Sequence, residues 1–586
     1  MKDRITIFRS PLTSCWEGDL NSGIENIDDN ELDKIASFGY NGIWINQPLR
    51  DYTPSNIFPE FGHKSDYYLR LLDSLSNRAL KHGIKVYMYL LEPRAILTDD
   101  PFWSKYPELK GQHFFQEGFN LNYNALCSSR QMVRDYLYDS LQKICSRIDM
   151  SFFAITAAED FSTCVGKLVS DEQAKKIHCG KPHGIMVRND CPLCSERTGA
   201  EIISELLNTL HSGIIAGNPN ADLIAWDWGW RKLPWKNTVK DILDKLHKDI
   251  IYISDFEIGG KRCLQQKQGV FEYSLGYVGP SESFTEFTSY AREHDRRAGA
   301  KLQVGTTHEI ASVPNLPLIH NLWEKVYKAQ KAGISVAFAS WNLGTYQTMN
   351  TYLFGHAFKS NKPVPWKEFL KMACDYLSVP RDVSPKLEKA WHYFEYAMQN
   401  FPFSVPMLYQ GPVNYAPAYW LPPKQTQGTP TGMSCHKIKR GDDLGYCCGN
   451  YSLDEVILLF GKLVDFWSEG LKFMDEVRAS LCLPTSRFME EFYNAKCIYH
   501  VYRSTLNVFR VYKLCRNWHD DMLPQYIQLC EDEIENCEKL LPLLKCDKRL
   551  GMHLECKEYM FDEGSVKEKI ERLKSITKVR KKVLCV

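Results

Sequence analysis

Eight short β-prone segments alternate with helical segments through the N-terminal part of the chain, and this alternation restricts the fold more than any other feature. The segments are Ile5–Phe8, Gly42–Asn46, Lys85–Leu90, Phe152–Thr156, Leu223–Asp227, Ile251–Asp255, Lys301–Gly305 and Val336–Ser340. Glycines typical of helix ends precede several of them, among them Gly83, Gly299 and Gly333. Near-continuous apolar strands joined by helices predict a parallel sheet covered by helices, and the count of eight favours a closed (β/α)8 barrel.

A doubly wound open sheet is the alternative arrangement for this pattern. Such a sheet binds phosphate in a glycine-rich first turn, whereas the turn after Phe8 reads RSPLTS. The sequence therefore favours the α/β fold of the TIM-barrel type over the open sheet.

Helical patterns replace the strand patterns after residue 355. In Ser452–Val477, Ser452 and Glu455 have the spacing of a capping box, and apolar residues follow at helical intervals. We predict a catalytic barrel domain over residues 1–355, with a cysteine-rich loop at residues 164–194. A mainly α-helical C-terminal domain is predicted over residues 356–586.

The composition disfavours several classes of partner. The 586 residues include 72 Lys and Arg against 71 Asp and Glu, a formal net charge of +1, so no basic surface for nucleic acid or an anionic membrane is expected. The N-terminus lacks the apolar core of a signal peptide, and no stretch has the length and apolarity of a membrane span. With 20 cysteines, these features predict reduced thiols in the cytoplasm. The sequence does not specify an oligomeric state.

Charged and aromatic side chains recur at the ends of the predicted strands. In a barrel, chemistry collects at the carboxyl ends of the strands. The candidates there are Arg9, Glu159, Asp160, Asp227, Trp228, Asp255, Glu257, His308, Glu309 and Trp341. A barrel end rich in carboxylates and tryptophans suits a carbohydrate substrate, because aromatic rings offer flat apolar faces on which a sugar ring can stack. We predict that Glu159 and Asp160 are catalytic and that the others bind an oligosaccharide or glycoconjugate substrate.

The adjacent pair of Glu159 and Asp160 is the most informative of these features. It follows a strand in the stretch SFFAITAAEDFSTC. Neighbouring carboxylates repel each other, which separates their pKa values, so that one can keep its proton while the other is ionised. A solvated loop or a helix N-cap would also accommodate such a pair. Its place at a strand end, in line with the other charged strand ends, favours a functional role.

The segment from Cys127 to Asp160 resembles glycoside hydrolase family 20, the β-N-acetylhexosaminidases. The resemblance rests on a polar turn (LCSSRQ), an amphipathic helix (MVRDYLYDSLQKI), a strand (SFFAIT), and small residues before an acidic pair (AAED). The order of the pair departs from that family, which has Asp before Glu after two glycines. A family of β-N-acetylgalactosaminidases that uses an adjacent acidic pair is a second resemblance. Either one implies a retaining exo-glycosidase for terminal β-linked GalNAc or GlcNAc.

The resemblance implies substrate-assisted catalysis, in which the 2-acetamido oxygen attacks the anomeric carbon. One carboxylic acid then protonates the leaving oxygen, and one carboxylate orients the acetamido N–H. We assign Glu159 as the acid because of its longer reach and Asp160 as the acetamido partner; the reverse assignment stays open. No cofactor is expected for catalysis.

Two other functions fit the same residues. Glu159 could act as acid with Glu309 as nucleophile, in a two-carboxylate retaining glycosidase that requires no acetamido group. The barrel could also bind carbohydrate without catalysis. For His308, a structural hydrogen bond is the alternative to a contact with sugar.

Four cysteines follow the acidic pair with the spacing C-x14-C-x11-C-x2-C: Cys164, Cys179, Cys191 and Cys194. The closing CPLC is half of a familiar tetrahedral zinc site, and His178 and His183 lie among the cysteines. Four unrelated thiols are the alternative. We predict a structural zinc, because four protein ligands leave no open position for chemistry.

Overall fold

The computed structural model describes residues 4–13, 18–21, 23–116, 121–156, 163–167, 185–188, 190–232, 238–261, 269–421, 443–516 and 518–584. Contacts divide the chain into two compact units. Unit 1 comprises residues 1–256, 282–301 and 332–338, and unit 2 comprises residues 257–281, 302–331 and 339–586. The predicted domain boundary near residue 355 stays a prediction.

Eight strands form a closed barrel, as the sequence predicts. In chain order, β1 to β8 are Ile5–Phe8, Gly42–Asn46, Lys85–Leu90, Ser151–Ile155, Leu223–Trp226, Ile251–Asp255, Ala298–Leu302 and Val336–Ala339. Each strand lies beside its neighbours in the sequence, and β1 pairs in parallel with both β2 and β8, which closes the sheet. The (β/α)8 prediction is confirmed.

Aromatic side chains from several strands pack against one another in the barrel. The ring of Phe153 on β4 stacks on Tyr89, with centroids 4.9 Å apart, and meets Trp44 and Phe338 edge-on at 5.3 and 4.8 Å. All four rings are buried. Bulky apolar side chains fill the interior of such barrels, and these four buried rings are part of that core.

Strand β7 begins earlier than the sequence suggests. The prediction of Lys301–Gly305 is wrong by three residues, since the strand covers Ala298–Leu302. Gly299, interpreted above as a helix end, lies inside the strand. A Cβ atom there would come within 2.5 Å of the Val336 carbonyl oxygen and 2.9 Å of a side-chain carbon of Ile253. Glycine is needed because the neighbouring strands approach too closely for a side chain.

Helices and a small sheet complete unit 1. The helices are Asp29–Ser37, Leu49–Tyr52, Ser65–Lys81, Phe102–Lys105, Gln131–Cys145, Gly199–Gly217, Thr238–Lys245 and Glu282–Glu293. An antiparallel sheet has the spatial order Ile96–Leu97, Leu121–Leu126, Lys110–Gln116 and Ile185–Val187. This second sheet has no counterpart among the predicted strands; its own strands lie on either side of β4 in the sequence.

Unit 2 is mainly helical. Its helices are Ile319–Lys331, Met349–Lys359, Trp366–Leu377, Ser384–Gln399, Val405–Gln410, Leu453–Ser480, Ser486–Arg516, Leu523–Cys546 and Glu563–Leu584. The strands Met552–His553 and Glu558–Tyr559 pair antiparallel. The predicted capping box of Ser452 and Glu455 is confirmed. None of the helices in the described ranges combines the length and apolarity that a membrane crossing requires.

Candidate active site

The segment after β4 carries the predicted catalytic pair. β4 ends at Ile155, and Thr156 is the last described residue before the pair. The Thr156 hydroxyl accepts a hydrogen bond of 2.9 Å from Nε1 of the buried Trp230. Glu159 and Asp160 lie outside the described residues. The described chain is therefore anchored three residues before Glu159, just beyond the carboxyl end of a barrel strand.

Arg9, at the end of β1, lies in a buried electrostatic cluster. Its guanidinium carbon is 3.7 Å from the centroid of the Trp44 ring, and its Nη1 is 3.5 Å from Oδ2 of Asp19. The same Asp19 oxygen accepts a hydrogen bond of 2.6 Å from the backbone N–H of Asn46. Arg9 is only 2% exposed. Asp19 lies in a loop with no periodic pattern, so the sequence analysis missed it.

Asp227 and Asp255 meet around Arg231, a residue that the sequence analysis also missed. Oδ2 of Asp227 accepts hydrogen bonds from the Tyr252 hydroxyl at 2.7 Å and the Ser254 hydroxyl at 2.8 Å. Arg231 Nε lies 3.6 Å from that oxygen, and its Nη2 lies 3.3 Å from Oδ2 of Asp255. These five residues, which lie on β6 and in the segment that follows β5, are called the Arg231 network below.

The charges of the Arg231 network stabilise one another. Burial disfavours the cation of Arg231, but the carboxylates of Asp227 and Asp255 outweigh this effect and hold the pKa of Arg231 above its ordinary value. Burial and then the charge of Asp227 raise the pKa of the Tyr252 hydroxyl well above its ordinary value. The tyrosine therefore remains a hydrogen-bond donor at any ordinary pH.

The two tryptophans on either side of Asp227 differ in exposure. Trp226 on β5 is buried, and its ring meets the Trp228 ring edge-on with centroids 6.0 Å apart. Trp228 is half-buried. A ring held at one edge with another part open to solvent is suited to stacking on a sugar, which was the role predicted for Trp228.

In unit 2, Glu257 forms a sealed ion pair. Oε1 of Glu257 accepts hydrogen bonds from Nζ of Lys325 at 2.5 Å and from the backbone N–H of Gln303 at 3.0 Å. Nζ of Lys325 also donates to the carbonyl oxygens of Ser274 and Gln303. Both charged side chains are 0% exposed. These contacts favour a structural role for Glu257 over the predicted contact with substrate.

Glu309 has a donor on each of its oxygens. Oε1 accepts from the Ser274 hydroxyl at 2.7 Å. Oε2 accepts from the backbone N–H groups of Leu275 and Gly276 and from the Thr307 hydroxyl, at 2.8, 3.2 and 2.9 Å. The residue is 0% exposed. A carboxylate held in this way fixes the 274–276 loop. The Glu257–Lys325 pair, Ser274 and Glu309 are called the Lys325 network below.

His308 and Trp341 are also in unit 2. His308 is buried, with Nε2 3.3 Å from a carboxylate oxygen of Glu555 and its ring 4.6 Å from the Tyr409 ring, centroid to centroid. These contacts favour the structural alternative for His308. Trp341 is half-buried, and its backbone N–H donates to Oε1 of Gln303 at 3.4 Å. Trp341 therefore combines a fixed backbone with a partly exposed ring.

A second site in unit 1 is a cluster of four cysteines: Cys127, Cys164, Cys191 and Cys194. Their sulfur atoms all lie within 4.8 Å of one another, and all four residues are buried. Cys164, Cys191 and Cys194 were predicted as ligands, whereas Cys127 was not. Cys127 directly follows the strand Leu121–Leu126 and is more than 60 residues from the CPLC turn in the sequence. The predicted Cys179 lies outside the described residues.

Comparisons with known proteins give structural neighbours only. No family model and no curated protein matches the chain. Similar solved structures include an enzyme of glycoside hydrolase family 138 targeting pectin rhamnogalacturonan II, with a TM-score of 0.53, 10% identity, and coverage of 99% of this chain and 84% of that chain. A family 89 glycoside hydrolase from Clostridium perfringens in complex with PUGNAc has a TM-score of 0.48 and 11% identity, with coverage of 98% of this chain and 59% of that chain.

An O-GlcNAc hydrolase from Thermobaculum terrenum gives a TM-score of 0.41, 11% identity, and coverage of 98% of this chain and 94% of that chain. The similarity to the family 138 enzyme shows a shared fold. These structural neighbours are glycoside hydrolases, and the resemblance to family 20 stays a prediction.

Proposed function

We propose that this protein is a glycoside hydrolase that removes terminal β-linked N-acetylhexosamine, GalNAc or GlcNAc, from an oligosaccharide or glycoconjugate. The observation that carries the proposal is the end of β4: this strand of a closed barrel ends at Ile155, four residues before Glu159 in the sequence. Barrel enzymes place their catalytic residues after the carboxyl ends of strands. The fold shared with an enzyme targeting pectin rhamnogalacturonan II is consistent with a carbohydrate substrate.

In the proposed reaction, the acetamido oxygen of the substrate attacks the anomeric carbon while Glu159 protonates the leaving oxygen. Asp160 accepts a hydrogen bond from the acetamido N–H and balances the positive charge that develops there. Water then opens the oxazoline intermediate, with Glu159 acting as base, and the anomeric configuration is retained. Trp228 in unit 1 and Trp341 in unit 2 are candidates for stacking on sugar rings.

The contacts of Glu309 disfavour the two-carboxylate mechanism. A nucleophilic carboxylate must present an oxygen to the anomeric carbon, but Glu309 accepts four hydrogen bonds from within unit 2 and is 0% exposed. Freeing Oε2 would leave the backbone N–H groups of Leu275 and Gly276 without their acceptor, and freeing Oε1 would do the same to the Ser274 hydroxyl; either loss is costly in a buried site. The acetamido route needs no second carboxylate of this kind.

Location in the cytoplasm remains a prediction from the sequence.

A panel of aryl β-glycosides tests the proposal. We expect turnover of the N-acetylated substrates alone, and strong inhibition by a thiazoline that imitates the oxazoline. Glu159→Gln should lower kcat by about 10²- to 10⁴-fold, because the general acid is lost. Asp521→Asn, in the exposed adjacent pair of Asp520 and Asp521, is the matched control and should keep full activity.

Three results would contradict the proposal. Turnover of plain hexosides only would favour the two-carboxylate route. Binding of the glycosides without turnover would favour a non-catalytic barrel. Full activity of Glu159→Gln would remove Glu159 from the mechanism.

A further inference from the structure

We propose that Cys127, Cys164, Cys191 and Cys194 bind one structural zinc ion as a complete four-thiolate site. The separations fit a single metal ion. Cys127 Sγ lies 3.7 Å from Cys191 Sγ and 3.5 Å from Cys194 Sγ. A tetrahedron with metal–sulfur bonds of about 2.3 Å has edges of about 3.8 Å. A disulfide requires about 2.05 Å between sulfurs, and all four thiols are unbridged.

Hydrogen-bond donors point at the sulfur atoms. The backbone N–H of Gln112 donates to Cys164 Sγ at 3.3 Å. The Ser129 hydroxyl lies 3.4 Å from Cys194 Sγ and accepts a hydrogen bond of 2.7 Å from Arg197, so its own hydrogen is available to the sulfur. Donors of this kind favour thiolate over thiol, and thiolate is the form that binds metal. Buried thiolates this close together need a cation between them.

The backbone is shaped to bring these cysteines together. At Gly111 a Cβ atom would lie 2.6 Å from Cys164 Sγ, so glycine makes room for that sulfur. The Gln112 side chain binds the backbone that follows Cys164: its Oε1 accepts from Val165 N at 2.6 Å and its Nε2 donates to the Gly166 carbonyl at 2.9 Å. A loose group of buried thiols would not require this degree of local support.

The zinc would join three segments of unit 1 that are distant in the sequence. They are the end of the strand Leu121–Leu126, residues 163–167, and the CPLC turn before the helix Gly199–Gly217. Cys164 is four residues after Asp160 in the sequence, and Thr156 is held by Trp230 on the other side of the pair. The metal and Trp230 thus fix the chain on both sides of the segment to which the proposed function assigns catalysis.

Metal analysis of the purified full-length protein tests the site without any use of activity. We expect about one zinc per chain, no iron, and a first coordination shell of four sulfurs at about 2.3 Å by X-ray absorption. Titration with a mercurial should release the zinc in step with the reaction of four thiols. Absence of zinc with freely titrating thiols, a disulfide among these cysteines, iron in place of zinc, or a nitrogen ligand would overturn the proposal.

Two variants separate this ligand set from the one that the sequence suggested. Cys127→Ser should reduce the bound zinc to a small fraction of the wild-type content, whereas Cys179→Ser should keep all of it. Cys145→Ser, at a buried cysteine outside the cluster, controls for the loss of any internal thiol. If Cys127→Ser does not fold, Cys179→Ser still decides between the two sets, because both sets predict a shell of four sulfurs and only one of them includes Cys179. Loss of zinc in Cys179→Ser would contradict the set.

Failure of the metal proposal and failure of the proposed function can be distinguished. An active glycosidase without zinc would contradict only the metal site. A protein with one zinc and no activity on the glycoside panel would contradict only the function.

Discussion

The Arg231 network and the Lys325 network have the same chemistry, two buried carboxylates and one cation, but differ in access to solvent. In the first, Asp227 and Asp255 have side chains 0% exposed, while the side chain of Arg231 is 17% exposed. In the second, the side chains of Glu257 and Lys325 are both 0% exposed. A charged side chain that is accessible to solvent can contact a ligand, whereas an ion pair without solvent access can contribute only to the stability of the fold.

The unused oxygens of the carboxylates sharpen this difference. Within the described ranges, Oδ1 of Asp227 has no hydrogen-bond partner, and neither has Oε2 of Glu257. Both oxygens of Glu309 have donors. An unused oxygen therefore does not mark a ligand site by itself. Asp227 lies beside a cation that reaches solvent, whereas Glu257 does not, so the predicted contact with substrate is kept as a prediction for Asp227.

The largest effect is expected from breaking the sealed pair. Lys325→Met should lower the free energy of unfolding by about 3–5 kcal/mol, because it leaves the Glu257 charge buried without its partner. Denaturant unfolding measures the loss. Lys328→Met is the matched control: Lys328 lies on the same helix in a partly exposed pair with Glu324, and its loss should cost less than about 1 kcal/mol. Equal stability of Lys325→Met and wild type would show that the pair is not sealed.

Glu309→Gln should also act on stability and leave catalysis unchanged. The amide can keep its oxygen toward the backbone N–H groups of Leu275 and Gly276, but its NH₂ group then faces the Ser274 hydroxyl, which donates to the carboxylate in the wild type. Loss of the charged acceptor and reversal of this hydrogen bond should cost about 1–3 kcal/mol. We expect a lower Tm, with kcat/KM within about threefold of wild type at a temperature where the variant is folded. Loss of turnover at unchanged Tm would instead support Glu309 as the nucleophile.

The fold could be predicted because its signal is repeated. Eight apolar strands of similar length, separated by amphipathic helices, leave few alternatives to a barrel, and the error at β7 arose where Gly299 serves strand packing and does not end a helix. The sheet that contributes Cys127 could not be predicted in the same way. Its strands pair across the sequence on both sides of β4, and such long-range pairing leaves no local periodicity.

The site could be predicted in residue type but not in role. The strand-end pattern selected Asp227, Glu257 and Glu309 alike. A carboxylate that contacts a ligand and one that forms an internal ion pair can occupy the same position after a strand. The role of each carboxylate depends on its partner, such as Arg231 or Lys325. Arg231 lies in a 3-10 helix and Lys325 in an α-helix, and basic residues are common in such elements, so neither one stands out in the sequence. The sequence pattern predicts where the strands end. The role of each carboxylate there depends on its burial and on the hydrogen-bond donors around it.

The smallest effect tests the Arg231 network itself, through the two aspartates that flank β5. Asp227 follows the carboxyl end of the strand Leu223–Trp226, and Asp222 precedes its amino end. Asp227→Asn should lower kcat/KM about 10- to 100-fold, since a hydrogen bond from substrate to a charged acceptor contributes about 1.5–3 kcal/mol. Its Tm should change little, because the remaining oxygen still accepts from Tyr252 and Asp255 still pairs with Arg231.

Asp222→Asn is the control, because chemistry in a barrel belongs to the carboxyl ends of the strands. That variant should keep the wild-type kcat/KM on the best substrate of the glycoside panel. Two results would break the comparison between the networks: equal losses of kcat/KM in both aspartate variants, or a fall in Tm without any change in kcat/KM for Asp227→Asn. The second result would place Asp227 with Glu257 and Glu309, as a carboxylate whose oxygens serve only the protein interior.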